Sequence, residues 1–138
     1  MITWNEELRI GHPVIDSDHQ KLIEIVNSFF ARQGKSDEKQ ILNDTLRSLL
    51  DYAHEHFERE QKIQKESMYP YLDMHAREHT LLLNQVKDLA SLYFIKKTKP
   101  LNEAALADVR ELLRHWLIDH IKKFDTNMRE WVQPAMQD

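Results

Sequence analysis

The stretch His75-Ala76-Arg77-Glu78-His79-Thr80-Leu81-Leu82-Leu83-Asn84-Gln85-Val86-Lys87-Asp88-Leu89-Ala90 decides the fold. Leu82, Leu83, Val86, Leu89 and Ala90 recur at helical spacing, which predicts an amphipathic helix. Four residues advance about 400°, so His75 and His79 stand about 40° apart on one face and roughly 6 Å apart along the axis. A pair of imidazoles so placed can ligate one metal or span two neighbouring ones.

Working outward, this helix is predicted from about Tyr71, where Met68-Tyr69-Pro70 breaks the preceding pattern, to about Lys96, before Lys99-Pro100. Upstream, Leu22, Ile23, Val26, Phe29 and Phe30 form one face of a helix over about Asp16 to Arg32, with Asp16 or Ser17 as its N-cap and Gly34 beyond its end. Asp37 with Gln40 offers a capping box for a second helix through Ile41, Leu42, Leu46, Leu49, Leu50, Ala53 and Phe57 to about Lys65. Asn102 is expected to cap a fourth, with Leu106, Val109, Leu112, Leu113, Trp116, Leu117, Ile121 and Phe124 facing inward. Four such helices with short connections predict an all-α, antiparallel up-down-up-down four-helix bundle. The chain reads as one domain over 1–138: an N-terminal arm over 1–15, a bundle over about 16–127 and a short C-terminal extension over about 128–138. Trp4, Trp131 and Val132 are the side chains expected to pack the arms onto the bundle.

Composition agrees. The 138 residues suit a single core, and two glycines and four prolines are too few for a turn-rich β architecture. With no cysteine, disulfides, thiolate metal sites and cysteine nucleophiles are excluded. A net charge of −4 without a basic run argues against nucleic acid or an anionic membrane as partner. Leu81 to Ile95 is the most apolar segment, but Asn84, Gln85, Lys87 and Asp88 interrupt it, so no membrane insertion is expected. No secretory signal is visible at Met1–Glu7, and a cytoplasmic location is the default expectation.

Eight histidines are the anomaly. His19 lies near the start of the first helix, His56 and Glu60 near the end of the second, His75 and His79 near the start of the third, and His120 and Asp125 near the end of the fourth. In an antiparallel bundle those positions fall at one end. Burying so many polar groups is costly unless they bond to something, and metal coordination satisfies them together. Five imidazoles and two carboxylates exceed a four-coordinate structural zinc. Nitrogen and oxygen donors without thiolate suit iron, and two octahedral-type ions sharing carboxylate bridges would use all seven. Asp125 fits least well, because five residues from His120 is about 140° round an ideal helix.

The order and spacing of these pieces resemble the hemerythrin family, particularly its single-domain bacterial members. The resemblance runs through Trp4-Asn5-Glu6-Glu7-Leu8-Arg9-Ile10-Gly11, Ile15-Asp16-Ser17-Asp18-His19, His56-Phe57-Glu58-Arg59-Glu60, His75-Ala76-Arg77-Glu78-His79, and Trp116-Leu117-Ile118-Asp119-His120 followed by Asp125. It implies a non-haem site of two Fe ions, with His75, His79 and His120 on one iron and His19 and His56 on the other. Glu60 and Asp125 would bridge them beside an oxo or hydroxo group, and dioxygen would take the open position on the two-histidine iron. The family pattern contains the same five-residue step to aspartate. Leu117 holds the place of the apolar residue over the oxygen pocket, with Trp116 beside it; Ile121, Phe57 and Ile23 are further pocket candidates by their facing. Gln61 departs from the glutamate often found after the bridging one.

Two other readings explain less. His75-Ala76-Arg77-Glu78-His79 matches the H-x-x-E-H string of inverzincin peptidases, but that leaves His19, His56, Glu60, His120 and Asp125 unused. Ferritin-like sites need Glu-x-x-His, which this sequence lacks. His12, His54 and His115 read as surface or supporting residues, and Glu58-Arg59 and Lys122-Lys123 as solvated faces. The expected function is reversible dioxygen binding for storage or delivery, not catalysis. Alternatives are a sensor acting through a separate partner, or a di-iron enzyme acting on peroxide or nitric oxide.

Overall fold

The computed structural model describes residues 1–132. Four long helices, α1 (Pro13–Phe30), α2 (Glu38–Glu66), α3 (Leu72–Ala90) and α4 (Glu103–Lys123), form an antiparallel four-helix bundle, followed by one further helical turn, α5 (Arg129–Val132). There is no strand among the described residues. Residues 133–138 of the expected C-terminal extension lie outside them.

The helices arise where the periodicity places them, but two ends differ from expectation. α1 begins three residues before Asp16, with Pro13 in its first turn and Nδ1 of His12 accepting from the Val14 amide at 3.2 Å. Proline's fixed φ and missing N–H suit that position. Asp16 is not the cap because its carboxylate accepts from the amides of Ile10 (2.8 Å) and Gly11 (3.0 Å), tying down the arm. Asp37 stands at the N-cap of α2 but makes no capping hydrogen bond, because Nε of Arg32 donates to it at 2.8 Å. Gln40 donates instead to Asp44, so the expected capping box does not form. Asn102 does cap α4, accepting from the Ala105 amide at 2.9 Å. Leu112 is exposed rather than inward.

α2 ends in a left-handed residue, Met68 (φ 58°), while the Tyr69 amide returns to the Gln64 carbonyl at 2.9 Å. That pairing closes the last turn before Pro70. α3 relaxes into a wider π-type turn over Ser91–Ile95.

The N-terminal arm has local structure of its own. It contains a short 3-10 turn at Glu6–Leu8, and Ile2 is clamped to α1 by two hydrogen bonds with the Asn27 side chain, at 2.9 and 2.8 Å. Leu8 is buried and Trp4 packs against the core. Trp131 remains half exposed, whereas Val132 is buried.

Two apolar clusters result. The larger fills the bundle away from the histidines, around Val26, Phe29, Leu42, Leu46, Leu49, Val86, Val109 and Leu113. The smaller joins Ile10, Ile15, Tyr69, Met128 and Val132, binding the arm and the C-terminal turn over the histidine end.

Candidate metal centre

His19, His56, Glu60, His75, His79, His120 and Asp125 are all buried and converge at one end of the bundle. The five-residue step to Asp125 is met by a change of helix type. Phe124 stays in the right-handed helical region with a widened φ (φ −112°, ψ −54°), and the chain then tightens into a 3-10 turn that Asp125 opens with its side chain fully buried.

The carboxylates divide the histidines into two sets. Oε1 of Glu60 is 3.0 Å from Nε2 of both His75 and His79, while Oδ1 of Asp125 is 2.8 Å from Nε2 of His75 and 3.0 Å from Nε2 of His120. The second oxygens face the other way. Oε2 of Glu60 is 3.0 Å from Nε2 of His56 and 3.6 Å from Nε2 of His19, which lies 3.0 Å from Oδ2 of Asp125. Two ligand groups able to hold a metal ion follow: Glu60, His75, His79, His120 and Asp125, and His19, His56, Glu60 and Asp125.

These short contacts are not hydrogen bonds for the most part. Nε2 of His19, His56, His79 and His120, both oxygens of Glu60 and Oδ2 of Asp125 are buried without a hydrogen-bond partner among the described residues. Buried polar atoms are seldom left so, and their convergence is the arrangement that cations satisfy. The electrostatics agree. Burial pulls the His19 imidazolium down, but Asp125 and Glu60 push it up further, to about 10. His75, under the same opposing influences, is raised to about 9. Burial raises the Glu60 carboxyl, yet His56, His19 and His75 hold it well below the carboxylate range. His79 goes the other way, lowered by burial and by its neighbours His75 and His120. The pair of carboxylates demands positive charge, and the donor set fits two iron ions bridged by carboxylates.

A cavity of about 10 Å³, open to the centre of a water-sized molecule, borders this cluster. His19, His56, His120 and Asp125 line it with Leu22, Phe57, Leu82, Trp116 and Leu117. Trp116, Leu117 and Phe57 thus line a cavity beside the histidines. Ile23 and Ile121 do not line it; they lie in the core, and Leu22 and Leu82 take their place. Nε1 of Trp116 donates to the Leu82 carbonyl at 2.9 Å, locking the indole into the wall. The Phe57 ring stacks on His79 with centroids 3.8 Å apart.

Arg59 is not the free solvated residue the sequence suggested. Its guanidinium grips Asp18, with Nε and Nη2 both at 2.9 Å. Asp18 was passed over in the sequence, though Ile15, Asp18 and Leu22 share one helical stripe, and a charged residue on an apolar stripe is a usable signal. His54 and His115 are exposed and pair with acidic residues on their own helices.

Two groups of buried donors that share Glu60 and Asp125, at one end of a four-helix bundle, define the class. The chain belongs to the hemerythrin family: the hemerythrin HHE cation binding domain matches residues 11–132. That makes it a di-iron, oxygen-binding protein. It is similar to bacteriohemerythrins of Stenotrophomonas maltophilia (26% identity over 91% of this chain and 77% of the relative) and Pseudomonas aeruginosa (25%, over 99% and 85%). That of Clostridium acetobutylicum is 25% identical over 96% of this chain and 99% of its own. A crystal structure of wild-type hemerythrin superposes with a TM-score of 0.78 at 24% identity, covering 97% of this chain and 99% of that one, which bears on the fold. No helix among the described residues is long and apolar enough to cross a membrane.

Proposed function

We propose that the protein binds dioxygen reversibly, for storage or delivery, at two irons held by seven side chains. Nε2 of His75, His79 and His120 would hold one iron together with Oε1 of Glu60 and Oδ1 of Asp125. His19 and His56 would hold the other with Oε2 and Oδ2. The observation that carries this assignment is the opposite facing of the two oxygens on each carboxylate, which matches bridging and divides the histidines three to two. A reduced pair of irons supplies the two electrons that dioxygen takes up on binding.

The chain's own residues do the rest. His19 and His56 border the cavity, so an iron held by these two histidines, with fewer protein donors than its neighbour, would leave room there for the ligand. Leu22, Phe57, Leu82, Trp116 and Leu117 exclude bulk water and limit proton and anion access, which slows loss to the di-ferric form.

One feature favours sensing as a second reading. Asp125 opens the 3-10 turn that carries Met128 into the same small cluster as Ile10 and Val132, so a shift at Asp125 reaches both arms directly.

The test is anaerobic reconstitution with ferrous iron, followed by visible absorption during cycles of oxygen addition and removal. Two irons per chain and a charge-transfer band that disappears on deoxygenation are expected. Conversion to a stable di-ferric form in the first cycle would overturn storage and delivery and favour a redox sensor or an enzyme. Oxygen-dependent cleavage of the arm near Arg9 in limited proteolysis would support sensing.

A further inference from the structure

The two halves of the centre are backed by different chemistry. Behind His56, on the two-histidine side, stands a carboxylate: Nδ1 of His56 lies 2.9 Å from Oδ2 of Asp18. A carboxylate only accepts, so His56 donates there from Nδ1, and in the neutral imidazole that a metal requires, Nε2 carries the lone pair directed into the cluster. Asp18 is itself pinned. Its side chain is only 7% exposed, and it accepts from Tyr52 Oη at 2.7 Å and from Arg59 Nε and Nη2 at 2.9 Å each. Four donors from α2 therefore hold one carboxylate of α1 in a single pose.

Behind His79 and His120, on the three-histidine side, no such charge stands among the described residues. Gln61 Nε2 stands 3.4 Å from Nδ1 of His79, and a half-turn of the amide would present its oxygen instead; in either pose the group is neutral. Nδ1 of His120 is buried with no hydrogen-bond partner among the described residues. Nδ1 of His19, on the two-histidine side, is likewise unpartnered, so the charge behind that half comes through His56 alone.

We propose that Asp18, held by Arg59 and Tyr52, is a positioning residue that fixes the tautomer of His56 and makes the two metal positions unequal, strengthening the two-histidine position and favouring its higher oxidation state. A carboxylate accepting from a metal-bound imidazole raises the basicity of that imidazole and sets its ring orientation. The compensation falls on the side that needs it, since the position served by two imidazoles has one donor fewer. Both of its histidines, His19 and His56, also line the cavity, where only His120 of the other three does, so a metal held there would lie beside the space a ligand can enter. This inference rests on the ligand assignment given under Proposed function.

The experiment is stepwise anaerobic titration of metal-free full-length protein with Co(II), read by absorption and calorimetry, together with the reduction potential of the iron-loaded protein. The wild type should take up two Co(II) in two distinguishable steps. Asp18→Asn keeps the shape but removes the charge; it should weaken one step roughly 10- to 100-fold, leave the other unchanged and move the potential positive. Tyr52→Phe, which retains the carboxylate and is safe for folding, should shift both readouts in the same direction by a smaller factor. Gln61→Glu, which adds charge behind His79, should tighten the other step and move the potential negative. A purely structural role for Asp18 would weaken both steps alike and leave the potential in place. Unchanged steps and potential in Asp18→Asn and Tyr52→Phe overturn the proposal while the two-metal reading stands. A wild type that binds fewer than two Co(II) per chain overturns the underlying assignment instead.

Discussion

The two ends of this bundle follow opposite rules. Away from the histidines, Val26, Phe29, Leu42, Leu46, Leu49 and Val86 pack with almost no exposure, and Glu38, a buried charge at the start of α2, is paired with Arg110. At the other end, five imidazoles and two carboxylates are buried within reach of one another, several without hydrogen bonds. The first end is satisfied by its own side chains. The second gathers converging polar atoms that a pair of bound cations would satisfy together. Folding strength and function are therefore separated along one set of helices, and the smaller cluster of Ile10, Ile15, Tyr69, Met128 and Val132 keeps the polar end closed.

Substitutions at each end should separate the two roles. The largest effect belongs to Glu60 and His79: alanine at either is expected to abolish two-iron stoichiometry, measured by metal analysis after desalting, while helix content persists. Normal loading of two irons in both variants would dissolve the contrast. Phe29→Ala makes the reverse test. It should cost about 3–5 kcal/mol in denaturant unfolding, the usual range for emptying a buried aromatic site, yet leave two irons bound.

Acidity should act on the polar end alone. In metal-free protein His19 and His75 are raised from 6.5 to about 10 and about 9. A group raised on folding stabilises the fold fully below its unfolded value and loses that contribution as pH rises through the folded one. The melting temperature of the metal-free protein should thus fall between about pH 6.5 and 10. Metal affinity should rise over the same window, because imidazoles must give up those protons to bind. Parallel pH trends for the metal-free and loaded forms would count against the site's carboxylates as the cause.

Leu117→Ala widens the cavity wall and should speed conversion of the oxygenated form to the di-ferric one, with little change in iron content, as followed by the decay of visible absorption. The smallest effect is expected at Met68, exposed and left-handed at φ 58°. Met68→Gly should raise stability by about 0.5–1 kcal/mol by relieving that conformation, and should touch neither end's function.

Much of this molecule was legible in its sequence because helical periodicity is local. Leu82, Val86 and Leu89 declare a face, as do Leu42, Leu46 and Leu49, and the histidines could be placed at one end by counting residues from each helix terminus. Three things were not local. The cap of α1 went to His12 because Asp16 was drawn to the amides of Ile10 and Gly11 across the turn at the end of the arm. The pocket took Leu22 and Leu82 in place of Ile23 and Ile121, since a shared helical stripe does not say which neighbour lies at the height of the metal. Asp125 enters the cluster because the helix changes after Phe124 into a 3-10 turn, which an ideal α-helix does not contain.

The sequence by itself determined the helices, their antiparallel order and the end at which the donors gather, because each follows from spacing along a single chain segment. Only the tertiary structure decided which carboxylate oxygen faces which histidine, and that Asp18, Tyr52 and Arg59 stand behind His56. Those are distances between side chains on different helices, set by packing and helix rotation. A change of a few tenths of an ångström or a few degrees there leaves the pattern of the sequence untouched and alters the chemistry of the site.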